Sequence, residues 1–412
     1  MLRPSAPKSV PAGAPLRNFR RPGAAPVAKA AVQGANPVER EAAGPALAPF
    51  DWWLFVIMLC LLAIGLVMVL SSSGITAEQL KGDKYYFFKR QTLFAACGIV
   101  ALWCAAVLPR DLLNKIQYPA VFGALLLVLI TLSPLAPTIN GAKRWISLGP
   151  ISVQPMEFVK IALALYLAYF MSAKQDLVRT FSRGVIPPFA VTGLFCFLLL
   201  LQPDFGSAVL IAGILFFMCI AGGTRALYLV LSLALASCGI VALAITAPYR
   251  FRRFVAFIDP WADPGGAGYQ LVQSLYAIGS GSFFGVGIGA SRQKMHYLPE
   301  AHNDFIMAIL AEETGFVGVS IVMGLYCLLF WRCHRIVMGQ RNLRDRLTAF
   351  GITIIIAMGA VMNMAVVMGM IPPKGVPMPL LSYGGSSLMA TMICIGLLMN
   401  YSRTVGPCTD SS

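Results

Sequence analysis

Charged residues are scarce in this chain. Asp, Glu, Lys and Arg make up 12% of its 412 residues, whereas about a quarter of the residues of an average soluble domain are charged. Hydrophobic residues make up 58%, and the mean hydropathy is +0.74. So little charge excludes an ordinary soluble domain and indicates an all-α, polytopic membrane protein.

Acidic residues are scarcer than basic ones, with 17 Asp and Glu against 32 Lys and Arg, and the net charge is +15. Such an excess could indicate a nucleic-acid partner. Here most of it lies in the N-terminal tail and in loops predicted to face the cytoplasm, where anionic lipid attracts basic residues. We therefore expect no nucleic-acid partner.

Cysteine is missing from the segment where oxidation would be expected. Nine of the ten cysteines lie within or at the edge of apolar runs, Cys408 lies near the C-terminus, and none lies in the long loop 248–303. This distribution argues against a disulfide framework or a cysteine metal site. We interpret the cysteines as small core residues.

The first 49 residues lack any apolar segment, which argues against a cleavable signal peptide. They contain nine prolines and seven basic residues without apolar periodicity, so they are expected to form a disordered cytoplasmic tail. Recruitment of a cytoplasmic partner and a passive solvated tail both stay open. Residues 404–412 are expected to form a second, short cytoplasmic tail.

Ten apolar runs follow, each long enough for a helix of about 20 residues that crosses a membrane. They cover residues 52–70, 91–108, 118–136, 155–171, 185–201, 205–221, 226–247, 305–331, 347–370 and 381–401. Together they predict a ten-helix transmembrane domain over residues 50–403. The QPD joint at 202–204 fits either a hairpin or a single broken helix.

Basic residues predict the orientation of these spans. They are densest in RCHRIVMGQRNLRDR, residues 332–346, and such enrichment marks cytoplasmic loops. Both termini are then cytoplasmic and 248–303 becomes one large extracytoplasmic loop, of a length that usually carries function or is disordered. Within it, residues 271–285 are weakly amphipathic and could lie along the membrane interface.

The segment GVGIGA, residues 285–290, formally matches a dinucleotide-binding pattern. No strand precedes it, and the predicted topology places it outside the cytoplasm, so we do not interpret it as a cofactor site. Its glycines are expected to allow tight turns close to the membrane surface.

Lys160 is the clearest charged residue within a predicted span. It follows Glu157 by three residues, which places both side chains on one helix face, and Pro155 is suited to the start of that helix. Intramembrane charge is costly and marks functional candidates. Two interpretations stay open: a structural ion pair, or a cation at a polar cavity shared between Glu157 and an anionic ligand.

Two further segments add polar groups near the extracytoplasmic ends of the spans. NGAKRWISLGP (140–150) carries Lys143, Arg144 and Trp145, where the tryptophan suits either an interfacial anchor or a sugar-stacking role. IPPKGVPMPLLSYGGSSL (371–388) interrupts the apolar pattern with prolines and glycines, which is tolerated at membrane depth only beside protein or a water-filled cavity. Its serines are candidates for a ligand-facing rim: Ser382, Ser386 and Ser387.

The acids concentrate at the start of the eighth span, in LPEAHNDFIMAILAEETG, residues 298–315. Cations suit a diphosphate, and an acid suits proton removal from a hydroxyl. We therefore expect these acids to face a catalytic cavity. Ordinary interfacial polar residues at the end of a loop would give the same sequence pattern. Glu312 and Glu313 are expected to pair within the bundle. The cations available on this side are Arg144, Lys160, Arg292, Lys294 and Lys374.

Three segments carry a resemblance to a known family. LPEAHNDFIMAILAEETGFVG, QPMEFVK after GAKRWISLGP, and KGVPMPLLSYGGSS resemble the SEDS family of polytopic peptidoglycan glycosyltransferases. The resemblance covers nearly the whole chain after the tail, and PEAH and PKG bring it closer to the cell-division members than to the elongation members. It implies polymerisation of lipid II, with a class B penicillin-binding protein as transpeptidase partner beside other divisome membrane proteins.

The resemblance also implies roles for individual residues. Asp304 corresponds to the key acid and would be the general base of an inverting reaction. Arg144, Lys160 and Lys374 would offset charge on the leaving diphosphate. The sugar and pyrophosphate sites would be shaped by Trp145, Arg292, Glu300, His302, Ser386 and Ser387.

Two residues depart from the family pattern: Asn303 stands where Thr is common, and Thr314 where an apolar residue is usual. A helix N-terminus would also tend to keep Asp304 ionised and weakly basic. Concerted transfer, desolvation or a divalent cation (Mg²⁺ or Mn²⁺) would each help, and the sequence does not choose among them. A lipid II flippase and a non-catalytic divisome scaffold are the alternatives.

Overall fold

A computed structural model describes residues 49–134, 136–138, 141–149, 151–246, 251, 255–295 and 297–403. The predicted cytoplasmic tails lie outside the described residues, apart from residue 49. These two tails therefore stay predictions.

The described chain is almost entirely helical, as predicted. Its helices are α1 (Trp52–Lys81), α2 (Tyr86–Val107), α3 (Arg110–Leu113), α4 (Gln117–Leu132), α5 (Pro155–Ala173), α6 (Ile186–Leu201), α7 (Phe205–Ala221), α8 (Ala226–Thr246), α9 (Tyr269–Ser280), α10 (Ile306–Met338), α11 (Leu343–Val367) and α12 (Gly385–Ser402). All except α3 and α9 match the ten predicted spans in order. Among the described residues, seven helical segments are long and apolar enough to cross a membrane, and three shorter apolar helices accompany them.

Two spans extend further than the apolar pattern predicts. α1 continues through a polar stretch beyond residue 70 to Lys81, where Gly82 ends it in the left-handed conformation (φ 69°). α10 continues past the predicted end at Trp331 to Met338. Hydropathy locates the hydrocarbon crossing, whereas the helix itself ends only where its backbone is capped.

The QPD joint is a hairpin between two helices. α6 ends at Leu201, α7 begins at Phe205, and the two helices pack against each other. The carboxylate of Asp204 caps α7, because Oδ1 accepts from the backbone N–H of Ser207 (3.2 Å) and Oδ2 from its hydroxyl (2.7 Å). A capping acid at this position starts a new helix.

A small β-hairpin, which the sequence did not predict, lies between α4 and α5. Its strands β1 (Ile146–Leu148) and β2 (Ile151–Val153) pair antiparallel, with Ser147 opposite Ser152. The hairpin leads directly into α5, which Pro155 begins at its first turn.

Close backbone contacts hold the centre of the bundle together. α5 and α12 are the most deeply buried spans, and α12 lies along α2. A Cβ atom at Gly396 of α12 would collide with the carbonyl oxygen of Leu102 in α2. Small residues of this kind allow membrane helices to approach closely. α8 differs from these helices, because its described leucines and valines are largely exposed.

Helix α10 is broken at Gly315 (φ 64°, ψ −162°). The turn that follows α9 fills the break: the N–H groups of Val286 and Gly287 donate to the carbonyls of Glu312 (2.9 Å) and Glu313 (3.0 Å). In return, the N–H groups of Phe316 and Val317 donate to the carbonyls of Ser282 (3.0 Å) and Phe283 (3.2 Å).

The glycines of GVGIGA belong to this turn. Gly285, Gly287 and Gly289 all have positive φ (81°, 107° and 85°), a conformation that favours glycine. A Cβ at Gly285 would also collide with the carbonyl of Glu313. The prediction of tight turns here is therefore confirmed.

Candidate functional site

The loop that carries Asp304 is pinned at three successive carbonyls. The N–H of Tyr383 donates to His302 (3.0 Å), the hydroxyl of Ser382 donates to Asn303 (2.6 Å), and an amide donates to Asp304. Two of these donors lie in the Pro/Gly-rich segment 371–384, so this segment and the Asp304 loop are joined side by side. Such bonds fix the backbone from which the half-buried Asp304 side chain projects.

Asn363 of α11 supplies the third of these donors. Its Nδ2 donates to the carbonyl oxygens of Asp304 (2.7 Å) and Val376 (2.8 Å). The side chain is 1% exposed. One buried amide therefore joins a spanning helix to both loops of the site. Sequence reasoning missed Asn363, although an amide inside an apolar span was a usable signal.

Gln91 of α2 is a second missed residue. Its Nε2 donates to the carbonyl of Ser382 (3.1 Å), and its Oε1 accepts from the N–H of Gly384 (3.3 Å). Gln91 therefore holds the other end of segment 371–384. It was overlooked because it lies at the polar edge of an apolar run.

Gly375 and Lys374 lie beside the Asp304 carboxylate. A Cβ placed on Gly375 would lie 3.1 Å from Oδ2 of Asp304, so glycine leaves the carboxylate room. Lys374 extends toward the start of α7, where its Nζ lies 5.0 Å from the ring centroid of Phe205. Burial lowers the pKa of Lys374 from its ordinary range. Lys374 directly precedes the glycine that adjoins the Asp304 carboxylate, and a shared role for the two charged residues stays a prediction.

Arg144 lies in the hairpin region and contacts the turn between α6 and α7. Its guanidinium donates to the carbonyls of Gln202 (3.5 Å) and Pro203, and its Nη1 lies 3.8 Å from Oδ1 of Asp204. Asp204 directly precedes Phe205, so the Arg144 and Lys374 cations approach the same helix start. Trp145 beside them is half-buried.

Lys160 forms the predicted pair with Glu157, with Nζ 2.8 Å from Oε2 and both side chains buried. The pair also lines a cavity of about 20 Å³ together with Ser387 and residues of segment 371–384, enough space for a water molecule. The ion pair is therefore present in the structure, whereas a role for Lys160 toward an anionic ligand stays a prediction. Ser386 has a different setting, because its hydroxyl accepts from the N–H of Gln154 (3.0 Å) and ties α12 to the start of α5.

His302 is packed among aromatic rings. Its centroid lies 5.0 Å from Phe87 and 5.7 Å from Tyr383. Burial lowers the pKa of His302, and the charge of Glu300 partly offsets this, so the imidazole is neutral at pH 7. Glu300 is exposed, adopts a positive φ (55°) and accepts from the Asn303 amide (2.6 Å). His302 and Glu300 line a cleft of about 440 Å³.

Lys294 forms a buried ion pair with Glu313 of α10. Its Nζ lies 2.9 Å from Oε1 of Glu313, with both side chains buried, and also donates to Ser71 of α1 (3.1 Å). The expectation that Glu313 pairs within the bundle is confirmed. Glu312 instead accepts from Ser291 and from the N–H of Arg292 (2.9 Å).

The glutamates hold the end of the long loop 248–303 against α10. Lys294 also lines the cleft of about 440 Å³ with His302 and Glu300, so its availability to a ligand stays a prediction. The Arg292 side chain is exposed. A charge pattern in sequence cannot tell a substrate-facing lysine from a paired one.

Metal-ligating side chains do not converge in the described part of the chain, where no three His, Cys, Asp or Glu residues come together. Mg²⁺ is commonly held by only one or two carboxylates together with substrate phosphates. A divalent cation beside Asp304 therefore stays a prediction.

The chain matches a protein family over residues 51–406, nearly all of it after the tail. The family model is described as "Cell cycle protein" and covers FtsW, RodA and SpoVE. The chain belongs to this family. It is a multi-pass membrane protein, and the resemblance to SEDS proteins is confirmed.

Named relatives of the FtsW/RodA/SpoVE family cover most of this chain. It is 41% identical over 357 residues to the probable peptidoglycan glycosyltransferase FtsW of Trichlorobacter lovleyi, which covers 86% of this chain and 94% of that protein. It is 39% identical over 356 residues to the stage V sporulation protein E of Bacillus subtilis, with 86% and 97% covered.

Solved structures of the family share the fold. A chain of a peptidoglycan synthase complex that coordinates polymerization and crosslinking matches with a TM-score of 0.72 at 30% identity, over 86% of this chain and 98% of that one. Rod shape determining protein RodA of Thermus thermophilus matches with a TM-score of 0.65 at 29% identity, over 86% and 97%.

Proposed function

We propose that this chain is a peptidoglycan glycosyltransferase that polymerises lipid II into glycan strands at the division septum. The family and its relatives named as peptidoglycan glycosyltransferases support the reaction class. The observation that carries the proposal is the setting of Asp304. Its backbone carbonyl accepts from Asn363 of α11, its loop is bonded to segment 371–384, and its carboxylate lies beside Gly375 at the proposed extracytoplasmic end of the bundle.

Asp304 acts as the general base in this reaction. Its carboxylate takes the proton from the acceptor sugar hydroxyl while that oxygen forms a bond to the anomeric carbon of the donor. The bond between the anomeric carbon and the diphosphate breaks, and undecaprenyl diphosphate leaves with the electron pair. Attack from the opposite face inverts the configuration, so an α-linked donor yields a β-linked strand.

Nearby cations stabilise the diphosphate as its charge develops. Lys374 directly precedes Gly375, the residue beside the Asp304 carboxylate. Partial burial strengthens its interaction with an anion, because less water screens it. Arg144 shares its charge with Asp204, so its contribution to the diphosphate is smaller. Lys160 lies deeper, in the cavity with Glu157 and Ser387, and supports segment 371–384 from below.

The remaining site residues shape the saccharide sites in this proposal. His302 is neutral and offers a hydrogen bond without charge, and Glu300 lies across the same cleft. Trp145 and the serines Ser386 and Ser387 lie at the entry to α5 and α12. The proposed partner is a class B penicillin-binding protein, since a family structure comes from a complex that coordinates polymerization and crosslinking.

The decisive experiment measures glycan strands. Full-length protein with its transpeptidase partner, given labelled lipid II, is expected to yield long strands on a gel. Asp304→Asn and Asp304→Ala are expected to yield none, because each lacks a base. Asp83→Asn is a matched control: it removes an exposed carboxylate paired with Lys89 at the same end of the bundle.

Normal polymerisation by both Asp304 variants would contradict this proposal. If those variants polymerised normally but no longer moved lipid II across vesicles, the flippase alternative would be favoured. If the wild-type protein itself was inactive in both assays yet still assembled with division proteins, the scaffold alternative would be favoured.

A further inference from the structure

The turn that fills the break in α10 has a backbone suited to membrane depth. Four of its N–H and C=O groups, at Ser282, Phe283, Val286 and Gly287, bond to α10 between Glu312 and Val317. A non-helical backbone can lie in the hydrocarbon region only when its polar groups are satisfied by protein. The four bonds to α10 satisfy these backbone groups, two before the tip of the turn and two after it.

The depth of this turn follows from the length of α10. Trp331 marks the cytoplasmic boundary, because the guanidinium groups of Arg332 and Arg335 lie 5.6 and 5.4 Å from its ring centroid. Phe316 lies fifteen residues earlier, about 22 Å away at the rise of an α-helix. The hydrocarbon region is about 30 Å thick. Phe316 is therefore still within the hydrocarbon, in the outer leaflet.

The aromatic residues of the turn lie at the same level. Phe283 stacks on Phe316, with ring centroids 5.6 Å apart and an interplanar angle of 29°. Phe284 and Ile288 are 78% and 70% exposed. They continue the exposed face of α10 that includes Ile321. Large apolar side chains are stabilised by removal from water, so contact of these residues with water would be unfavourable.

We propose that residues 281–289 form a membrane-inserted wedge, in contact with the acyl chains of the outer leaflet. The occupant is lipid, because the exposed aromatic side chains lie at the level of a spanning helix and the backbone of the turn is bonded to that helix at four positions. The wedge holds the carbonyls of Glu312 and Glu313, about two turns along α10 from Asp304. If the proposed function holds, lipid contact sets the height of the Asp304 carboxylate relative to the lipid–water boundary.

Depth-dependent fluorescence quenching tests this wedge directly. A genetically encoded fluorescent amino acid replaces Phe284 in the full chain, which is placed in phospholipid nanodiscs without and with doxyl-labelled phosphatidylcholine. Two matched sites provide the scale: Ile321, exposed along α10, and Lys84, exposed in the loop between α1 and α2. In the doxyl-labelled nanodiscs, the probe at position 284 is expected to lose fluorescence as the probe at position 321 does. The probe at position 84 is expected to keep most of its fluorescence.

Ile288 serves as a second labelled site in case the Phe284 substitution prevents folding. Quenching at both wedge sites no greater than at Lys84 would overturn the proposal, whether the surface then faced water or a second protein chain. The measurement needs no enzymatic activity. Its failure is therefore separate from failure of the lipid II polymerisation assay.

Discussion

A single buried amide links both loops of the site to one spanning helix. Asn363 is buried and donates to the carbonyls of Asp304 and Val376, and its bond to Val376 is fully buried. Losing the donor of a buried bond costs more than the net value of that bond, because a buried acceptor is left unsatisfied. At the residue scale, Asn363 therefore helps to fix the position of Asp304, the proposed general base.

Asn363→Ala is expected to lower the stability of the folded protein by roughly 1–3 kcal/mol and to lower strand synthesis further than the loss of folded protein accounts for. Thermal unfolding in detergent and turnover per folded molecule measure the two effects. Asn342→Ala is the matched control, because Asn342 caps the opposite end of α11 and its loss costs about 1 kcal/mol. Equal turnover per folded molecule in both variants would remove the positioning role of Asn363.

His302 predicts a pH dependence of stability. Burial lowers its folded-state pKa below the ordinary value, so the unfolded chain binds more protons between the two values. Stability is therefore fully present above the unfolded pKa, about 6.5, and falls as the pH drops below it. Glu300 and Tyr383 are the titratable groups that face His302, and neither reverses this sign.

Unfolding of the wild type measured from pH 7.5 to 5 is expected to show this loss, and His302→Phe is expected to flatten it. His334→Phe is the control, because His334 is exposed near the cytoplasmic end of α10. An unchanged slope in His302→Phe would mean that other groups carry the acid dependence.

At the element scale, the break in α10 joins two distant parts of the chain. The turn after α9 and the segment 312–317 exchange backbone hydrogen bonds, and Lys294 adds a buried ion pair to Glu313. Ser274 of α9 donates to the carbonyl of Val367 (2.8 Å), which attaches the same region to α11. The loop region after α8 is therefore attached to the bundle at two helices, α10 and α11.

Gly315→Ala is expected to destabilise the protein by roughly 1–3 kcal/mol from backbone strain alone, since Gly315 has a positive φ and a Cβ would collide with Gly285. Gly324→Ala in the same helix is the control: its Cβ would meet nothing within 4 Å, and alanine suits a helix better than glycine. Chemical unfolding of both variants gives the comparison. A Gly315→Ala protein as stable as Gly324→Ala would mean that the break closes without cost.

At the scale of the whole molecule, the basic residues predict which face meets the cytoplasm. Lys81 and Lys84 are exposed at the end that carries Asp304, and Lys115 and Lys174 are exposed at the other end. A membrane-impermeant amine reagent applied to intact spheroplasts is expected to modify the first pair. The second pair should react only after permeabilisation, and mass spectrometry of the peptides distinguishes the two. The reverse pattern would invert the proposed topology.

The long-range architecture followed from local patterns in most respects. Each of the ten spans is a predominantly apolar run, and a run of about 20 mostly apolar residues has few alternatives to a helix in a membrane. The pair Glu157–Lys160 was predictable because residues three apart share a helix face. The lengths of α1 and α10 were not, because helix ends depend on capping rather than on hydropathy.

The sequence by itself determined the number and order of spans, the family, and the acid at the start of α10, because each depends on residues close together in the chain. Tertiary structure alone decided that Lys294 pairs with Glu313, that Asn363 holds Asp304, and that GVGIGA completes a broken helix. The partners in these contacts are 19 to 59 residues apart in the chain. No spacing rule connects them until packing brings the helices together.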